Sequence, residues 1–341
     1  MRTENGLNPR STQTHGDGGA LASGSAASSL WHQVPAAIVA MRPYQWTKNL
    51  LVPLALIFAR RLGDAAALER TVLAFLAFCL AASAVYLVND LADRERDRLH
   101  PVKRNRPLPS GRLTVRAAAL TALLCLLGAT GLTYWLVRID PAGGIDPYAA
   151  WGGSDALFVV TLASYMALNV AYSTWLKHQV LWDVFIIAAG FVLRAMAGAF
   201  AIPVPISPWF YLCTTFLALF LALAKRRAEL LRDPENSALA RHNLRAYSML
   251  LLDQLIGITV TATLITYSLY TFQGENASHA LMLTIPLVLF GIFRYLYLVY
   301  ARQEGERPDE LLWRDPQILG AVATYAALVF ALLYAVPHLR G

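Results

Sequence analysis

Along most of the chain, apolar residues run in long blocks separated by short polar and basic stretches. A helix needs roughly 20 residues to cross a hydrocarbon layer. Nine blocks approach or exceed that length: 35–59, 69–91, 113–137, 156–175, 180–202, 208–227, 247–272, 279–300 and 316–337. The pattern predicts an all-α integral membrane protein, a bundle of nine transmembrane helices. Arg42, Pro43, Gln45 and Lys48 interrupt the first block. Proline ends or kinks a helix, so a short interfacial helix is expected to lead into that span. Gly190 and Gly198 in the fifth block predict close helix packing.

Composition points the same way, with 57% hydrophobic and 15% charged residues among 341; soluble chains carry about 25% charged residues. An aqueous globular fold is excluded. Residues 1–33 are rich in Gly, Ser, Thr and Ala and contain no hydrophobic signal-peptide core. They are expected to be a disordered cytoplasmic tail, leaving 34–341 as a single transmembrane domain. Cys79, Cys125 and Cys213 fall inside apolar blocks without ligand spacing, so neither a disulfide framework nor a zinc site is expected.

The net charge is +7, and the basic residues are unevenly placed. Loops after the second, fourth, sixth and eighth blocks hold 17 Lys and Arg, and the alternate loops hold 4. Positive charge stays on the cytoplasmic side. The expected protein therefore crosses the inner (plasma) membrane many times, with its N-terminus in the cytoplasm and its C-terminus outside. Basic clusters confined to such loops suit anionic headgroups or phosphorylated substrates better than nucleic acid.

Chemistry collects on the basic side. The second block runs out through Asn89, Asp90, Asp93 and Asp97. On a continuous helix the three aspartates share one face. They would repel one another unless a hard cation such as Mg2+ joined them, leaving positions for phosphate oxygens. Asn89 is placed to orient a water or a phosphate. An ordinary charged helix end, paired with Arg94, Arg96 and Arg98, is the plain alternative. Lys103, Arg104 and Arg106 follow between Pro101 and Pro107, as an anion-binding stretch or a simple basic anchor. Tyr172, Lys177 and Asp183 form a second group. Arg194 stands roughly 16 Å deeper than Asp183 on a helix, and a charge there needs a partner such as Asp253 or a bound anion. Lys225, Arg226, Arg227 and Glu229 read as a snorkelling anchor or a further anion clamp, and Leu231–Arg245 as a lid. Arg42 and Lys48 complete the basic ring.

Nine spans, the Asn89–Asp97 motif and the Tyr172–Lys177 pair resemble the UbiA superfamily of intramembrane prenyltransferases, over residues 35–337. The runs Arg42–Asn49, Asp97–Pro107 and Gly190–Arg194, with Asp183, are similar to its branch that moves phosphoribose onto decaprenyl phosphate. That resemblance implies transfer of 5-phosphoribose from phosphoribosyl diphosphate to a polyprenyl phosphate, making a precursor of the cell-wall arabinose donor. It implies Mg2+ at Asp90, Asp93 and Asp97, with Asn89 beside the diphosphate. Lys103, Arg104 and Arg106 would take the ribose phosphate. Arg42, Lys48, Lys177 and Arg194 would take the lipid phosphate, and Tyr172 would steady a phosphate or the ribosyl cation. Asp183, Lys225, Arg226 and Glu229 are further candidates. Self-association into a homo-oligomer is compatible with such a family. A second Asp-rich motif after the sixth span, usual in prenyl-diphosphate users, is reduced here to Asp233 and Glu235. Prenyl transfer to an aromatic acceptor and transport are the rival readings; a transporter predicts paired broken helices, and only one block is broken.

Overall fold

The computed structural model describes residues 33–141, 145–232, 246–273, 279–305 and 308–335. The tail at 1–32 and most of the expected lid, 233–245, lie outside the described residues. The first expected span is not one helix. It is divided into α1 (Val34–Met41), a 3-10 segment (Pro43–Leu51) and α2 (Leu54–Phe58). Pro43 has no amide to continue α1, and Arg42 turns the chain through a left-handed conformation at φ 56°. The 3-10 segment is then stitched to its neighbours. Trp46 Nε1 donates to Ser83 Oγ at 3.1 Å, and Asn49 Nδ2 donates to Cys79 Sγ at 3.2 Å. Gly198 lies so close to the Val52 carbonyl that any Cβ would collide with it, which bears out the packing expected from that glycine.

Among the described residues, eight continuous stretches remain that are long and apolar enough to cross a membrane. They are α3 (Ala65–Ala92), α5 (Val115–Leu136), α6 (Ser154–Thr174), α7 (Trp182–Ala201), α8 (Pro208–Arg232), α9 (Met249–Gln273), α10 (Ile285–Tyr300) and α12 (Pro316–Phe330). The last two stretches also take in a preceding 3-10 turn and a following π turn, respectively. Short α4 (Arg94–Leu99) and α11 (Pro308–Arg314) sit between spans, and every regular element among the described residues is helical. Side-chain caps start three of the long helices. Asp64 accepts from Ala67 N at 3.0 Å, Thr114 from Ala117 N at 3.2 Å, and Asp315 from Ile318 N at 2.9 Å, each satisfying an amide that the helix leaves open.

Helices surrounded by lipid associate through packing and polar contacts rather than through water exclusion. Buried alanines accordingly line the close approach of α3 (Ala77, Ala81, Ala84) and α5 (Ala118, Ala122, Ala129). Helix α7 joins two cores. Its Val184 and Ala188 pack with Phe220, Leu252 and Leu298, whereas Ala197 and Phe200 pack with Phe78, Phe158 and Tyr165.

Arg70, one of the four cations assigned by sequence to the less basic loop set, lies inside α3 and is fully buried. It donates to the carbonyls of Ala201 at 2.5 Å, Leu136 at 3.0 Å and Ile139 at 2.5 Å, and pairs with Asp155. One guanidinium thus ties the ends of α5 and α7 to the start of α6, at the end of the bundle opposite Asp90. From residue 145 onward the loop before α6 is held by side-chain hydrogen bonds. Asp146 accepts from the amides of Tyr148 and Ser154, and the Tyr148 hydroxyl donates to the Val204 carbonyl at 2.9 Å.

Candidate active site

Helix α3 stops at Ala92, and Asp93 is the turn residue before α4, with φ −91° and ψ 5°. Main-chain bonds from Asp93 N to Asn89 O and from Asp97 N to Asp93 O keep the path nearly helical. The slight break separates the three carboxylates. Asp90 and Asp97 are each only 2% exposed. Asp90 Oδ1 accepts from Arg42 Nη2 at 2.6 Å and from Arg106 Nη1 at 3.2 Å, and Asp97 Oδ2 accepts from that same Arg106 nitrogen at 2.7 Å. Lys103 Nζ stands 3.8 Å from Asp97. Asp93 turns to Lys177 at 3.5 Å and Arg96 at 3.8 Å. The expected trio is therefore a pair plus one, and among the described residues no three His, Cys, Asp or Glu groups stand together as a metal site. The plain alternative is met only at Arg96, because Arg94 and Arg98 pair with Glu95.

The pair still fits a hard cation. Two buried carboxylates converge within 3.2 Å of one positively charged nitrogen, and Mg2+ binds through one or two carboxylates with phosphate oxygens and waters completing the shell. Arg106 would have to swing aside, toward the phosphate that arrives with the ion.

Around this pair the structure gathers Arg42, Lys103, Arg106 and Lys177, from three separate segments, with Arg104 exposed beside them. Asn89 is half-buried next to Asp90, and Lys48 lies on the 3-10 segment. The Arg42 guanidinium also lies over the Tyr86 ring, 4.9 Å from its centre.

The second group is a buried internal network. Arg226 is 1% exposed. Its Nε donates to Asp183 at 2.7 Å, Nη1 to Glu229 at 2.5 Å and Nη2 to the Tyr172 hydroxyl at 3.4 Å. The Tyr247 hydroxyl donates to Asp183 at 2.7 Å and accepts from the amide of Leu181, a residue held at φ 68°. Asp183, Arg226 and Glu229 are thus spent on each other and fix α7 and α8 behind Tyr172, rather than forming an open anion clamp. Lys225 is half-buried and forms no ion pair with a described residue. Asp233 and Glu235 lie outside the described residues. Arg194 does not pair with Asp253, which takes Arg227 at 2.7 Å; it donates instead to Asn49, Gly190 and Tyr165.

Sequence reasoning missed Tyr86, Asn49, Tyr165 and Tyr247. Tyr86 had a usable signal, one helical turn before Asp90 on the same face. The other three are ordinary apolar-block residues until the fold brings their partners across.

Residues 50–313 match the UbiA prenyltransferase family. The decaprenyl-phosphate phosphoribosyltransferase of Mycolicibacterium smegmatis is 34% identical over 293 residues, 82% of this chain and 86% of that protein. The enzyme of the same name from Mycobacterium tuberculosis is 34% identical over 306 residues, 87% of this chain and 95% of that one. A UbiA homologue from Archaeoglobus fulgidus, solved with GPP and Mg2+, superposes with a TM-score of 0.64 at 20% identity, covering 87% of this chain and 99% of the other. With its apolar helices and its Asp-bearing α3, this chain is a multi-pass membrane protein that belongs to the UbiA prenyltransferase family.

Proposed function

We propose that this protein transfers 5-phosphoribose from phosphoribosyl diphosphate to decaprenyl phosphate or a similar polyprenyl phosphate, releasing diphosphate. The observation that carries this is the buried Asp90–Asp97 pair converging on one cationic nitrogen, ringed by further cations. Such a mouth suits a metal-bound diphosphate together with a second, separate phosphate group. The names of the mycobacterial relatives support decaprenyl phosphate as the acceptor and a phosphoribosyl group as what is moved.

Asp90 and Asp97 would hold Mg2+, with Asp93 and Asn89 beside it; the ion would offset charge developing on the leaving diphosphate. Lys103, Arg104 and Arg106 bind the donor's phosphates, guanidinium forks matching phosphate oxygens two at a time. Arg42, Lys48 and Lys177 guide the acceptor's phosphate to the mouth. Tyr172, braced by Arg226, faces the reacting sugar. The bond from ribose C1 to the diphosphate oxygen breaks with its electron pair leaving on diphosphate, and a lipid phosphate oxygen bonds to C1. That oxygen is already anionic, so no general base is needed, and rate comes from positioning and electrostatics. In the bilayer, the Asp90 end would face the cytoplasm.

The test offers the purified protein labelled phosphoribosyl diphosphate or farnesyl diphosphate, each with polyprenyl phosphate or an aromatic acceptor. Phosphoribosyl transfer that needs Mg2+ and falls at least about 100-fold in Asp90→Asn, Asp93→Asn and Asp97→Asn is the expected result. Prenyl transfer to the aromatic acceptor, or full activity in the Asn variants, would overturn it.

A further inference from the structure

Two guanidinium groups occupy the gap between Asp90 and Asp97. Arg42 Nη2 and Arg106 Nη1 meet on one oxygen, Asp90 Oδ1, at 2.6 Å and 3.2 Å, and Arg106 also reaches Asp97. A divalent ion entering that gap matches the two cations in charge and takes the oxygen they share, so both must give it up. Their ways out differ. Arg106 stands between Pro101 and Pro107 with its side chain 31% exposed, and can turn outward. The Arg42 side chain is 17% exposed and extends from a tight turn. A cation left there without a partner is costly.

The sequence keeps an arginine at that turn against the preference of the backbone. Arg42 closes α1 at φ 56° and ψ 59°, donating its amide to the Val39 carbonyl. Glycine is the usual residue in such a position, because a left-handed conformation crowds any side chain. Strain held in place in this way points to a task for the side chain. Among the described residues the Arg42 side chain has two partners. One is Asp90, and the other is the face of the Tyr86 ring, whose centre lies 4.9 Å from the guanidinium carbon. Tyr86 stands four residues before Asp90 on α3, so the two partners share one face of that helix. The Tyr86 hydroxyl hydrogen bonds to no described residue, which leaves the ring as the part in use.

We propose that Tyr86 is a positioning residue, a resting face on which Arg42 passes from Asp90 to a substrate phosphate once a metal ion takes the carboxylate. The exchange rests on the metal binding at Asp90 and Asp97 proposed above. A guanidinium carries five N–H donors. While Arg42 sits on Asp90, one terminal nitrogen is committed; after the exchange both are open to phosphate oxygens, and the ring keeps the group at the mouth. An aromatic face suits that task because it attracts the cation without competing for its N–H edge. A site filled by its own arginines can thereby be loaded without stranding a half-buried cation.

Isothermal titration of the full-length protein in detergent tests the exchange. Inorganic diphosphate and farnesyl monophosphate serve as separate ligands, each with and without Mg2+. The variants are Tyr86→Phe, Tyr86→Leu, Arg42→Gln, Arg42→Gln with Tyr86→Leu, and Asp90→Asn. With Mg2+, Tyr86→Leu should weaken binding about tenfold, and Tyr86→Phe, which keeps the ring, by less than about twofold. Without Mg2+ Arg42 stays on Asp90, and Tyr86→Leu should match the unmodified protein. In the Arg42→Gln background Tyr86→Leu should add nothing. A loss seen with diphosphate identifies the donor as the source of the phosphate that Arg42 receives, and one seen with farnesyl monophosphate identifies the acceptor. No loss with either ligand would overturn the exchange. Equal losses with and without Mg2+ would overturn it too, by making Tyr86 a brace of the fold. So would a Tyr86→Phe loss as deep as that of Tyr86→Leu, or additive losses in the double variant. If Asp90→Asn takes up Mg2+ and diphosphate as well as the unmodified protein does, the metal reading itself fails. If Asp90→Asn loses them while Tyr86→Leu binds normally, only the role of Tyr86 falls.

Discussion

Asp90 and Asp97, each 2% exposed, are paired with Arg42 and Arg106. Removing Arg106 leaves two buried carboxylates facing one another, and breaking such a buried pair costs about 3 kcal/mol. A hard cation entering the same gap should recover much of that loss. Arg106→Gln is therefore expected to lower the thermal midpoint in detergent without Mg2+, and to gain more from millimolar MgCl2 than the unmodified protein does. Equal Mg2+ shifts in both would show that the ion does not take the place of the guanidinium. The aspartates themselves were legible, since i, i+3 and i+7 spacing is a local property. Their partners were not. Arg42 and Arg106 lie 48 and 16 residues from Asp90, and the small break at Asp93 sends that carboxylate to Lys177. A single-face argument assumes an unbroken helix, and here the break decides which carboxylates meet.

Helices α7 and α8 owe their relation to the Asp183–Arg226 bond, two charges at 0% and 1% side-chain exposure. Asp183→Asn should destabilise the bundle by about 3–5 kcal/mol, whereas Tyr247→Phe, which removes one neutral donor, should cost about 1 kcal/mol. Denaturant unfolding followed by tryptophan fluorescence measures both, and losses of equal size would show that the ion pair is not what holds the two helices. Asp315 offers a pH test at the start of α12. Its carboxyl is held below the ordinary value first by the hydrogen bond from Arg294 and then, against burial, by the amides that it caps on α12. A depressed carboxylate contributes stability above its unfolded value near 3.8 and loses it as pH falls through the lower folded value. The fall in thermal midpoint between about pH 5 and about pH 3 should therefore be smaller in Asp315→Asn than in the unmodified protein. Caps of this kind follow from sequence, because Asp64, Thr114 and Asp315 precede apolar runs. Arg70 shows where element-scale reading ends. Its place near a block boundary reads as a loop cation, yet the helix begins five residues earlier, at Ala65, and buries it among carbonyls at the ends of two other helices.

Across the whole molecule, apolar length alone was nearly sufficient: eight of the nine expected spans are continuous helices. The ninth fails because Arg42-Pro43 breaks it and the following 3-10 segment is wedged between α3 and α7, where it carries Arg42 to Asp90 and Asn49 to Arg194. Hydropathy counts apolar residues and is blind to such tertiary bonds. Charge asymmetry adds what length cannot, a direction. The Lys and Arg at the ends of the apolar blocks, 17 on one set against 4 on the other, would put the Asp90 end in the cytoplasm, as proposed above, where a soluble sugar diphosphate and its magnesium would be met. Two exposed positions read this directly. Leu99, 89% exposed at the end of α4, belongs to the Asp90 end, and Ile145, 95% exposed before α6, belongs to the Arg70 end. Cys79, Cys125 and Cys213 lie within apolar helices and give little background to a membrane-impermeant maleimide. Ile145→Cys should be labelled on intact spheroplasts, and Leu99→Cys only after permeabilisation. The reverse pattern would turn the bundle over and set the carboxylate pair on the face where no cytoplasmic donor could reach it.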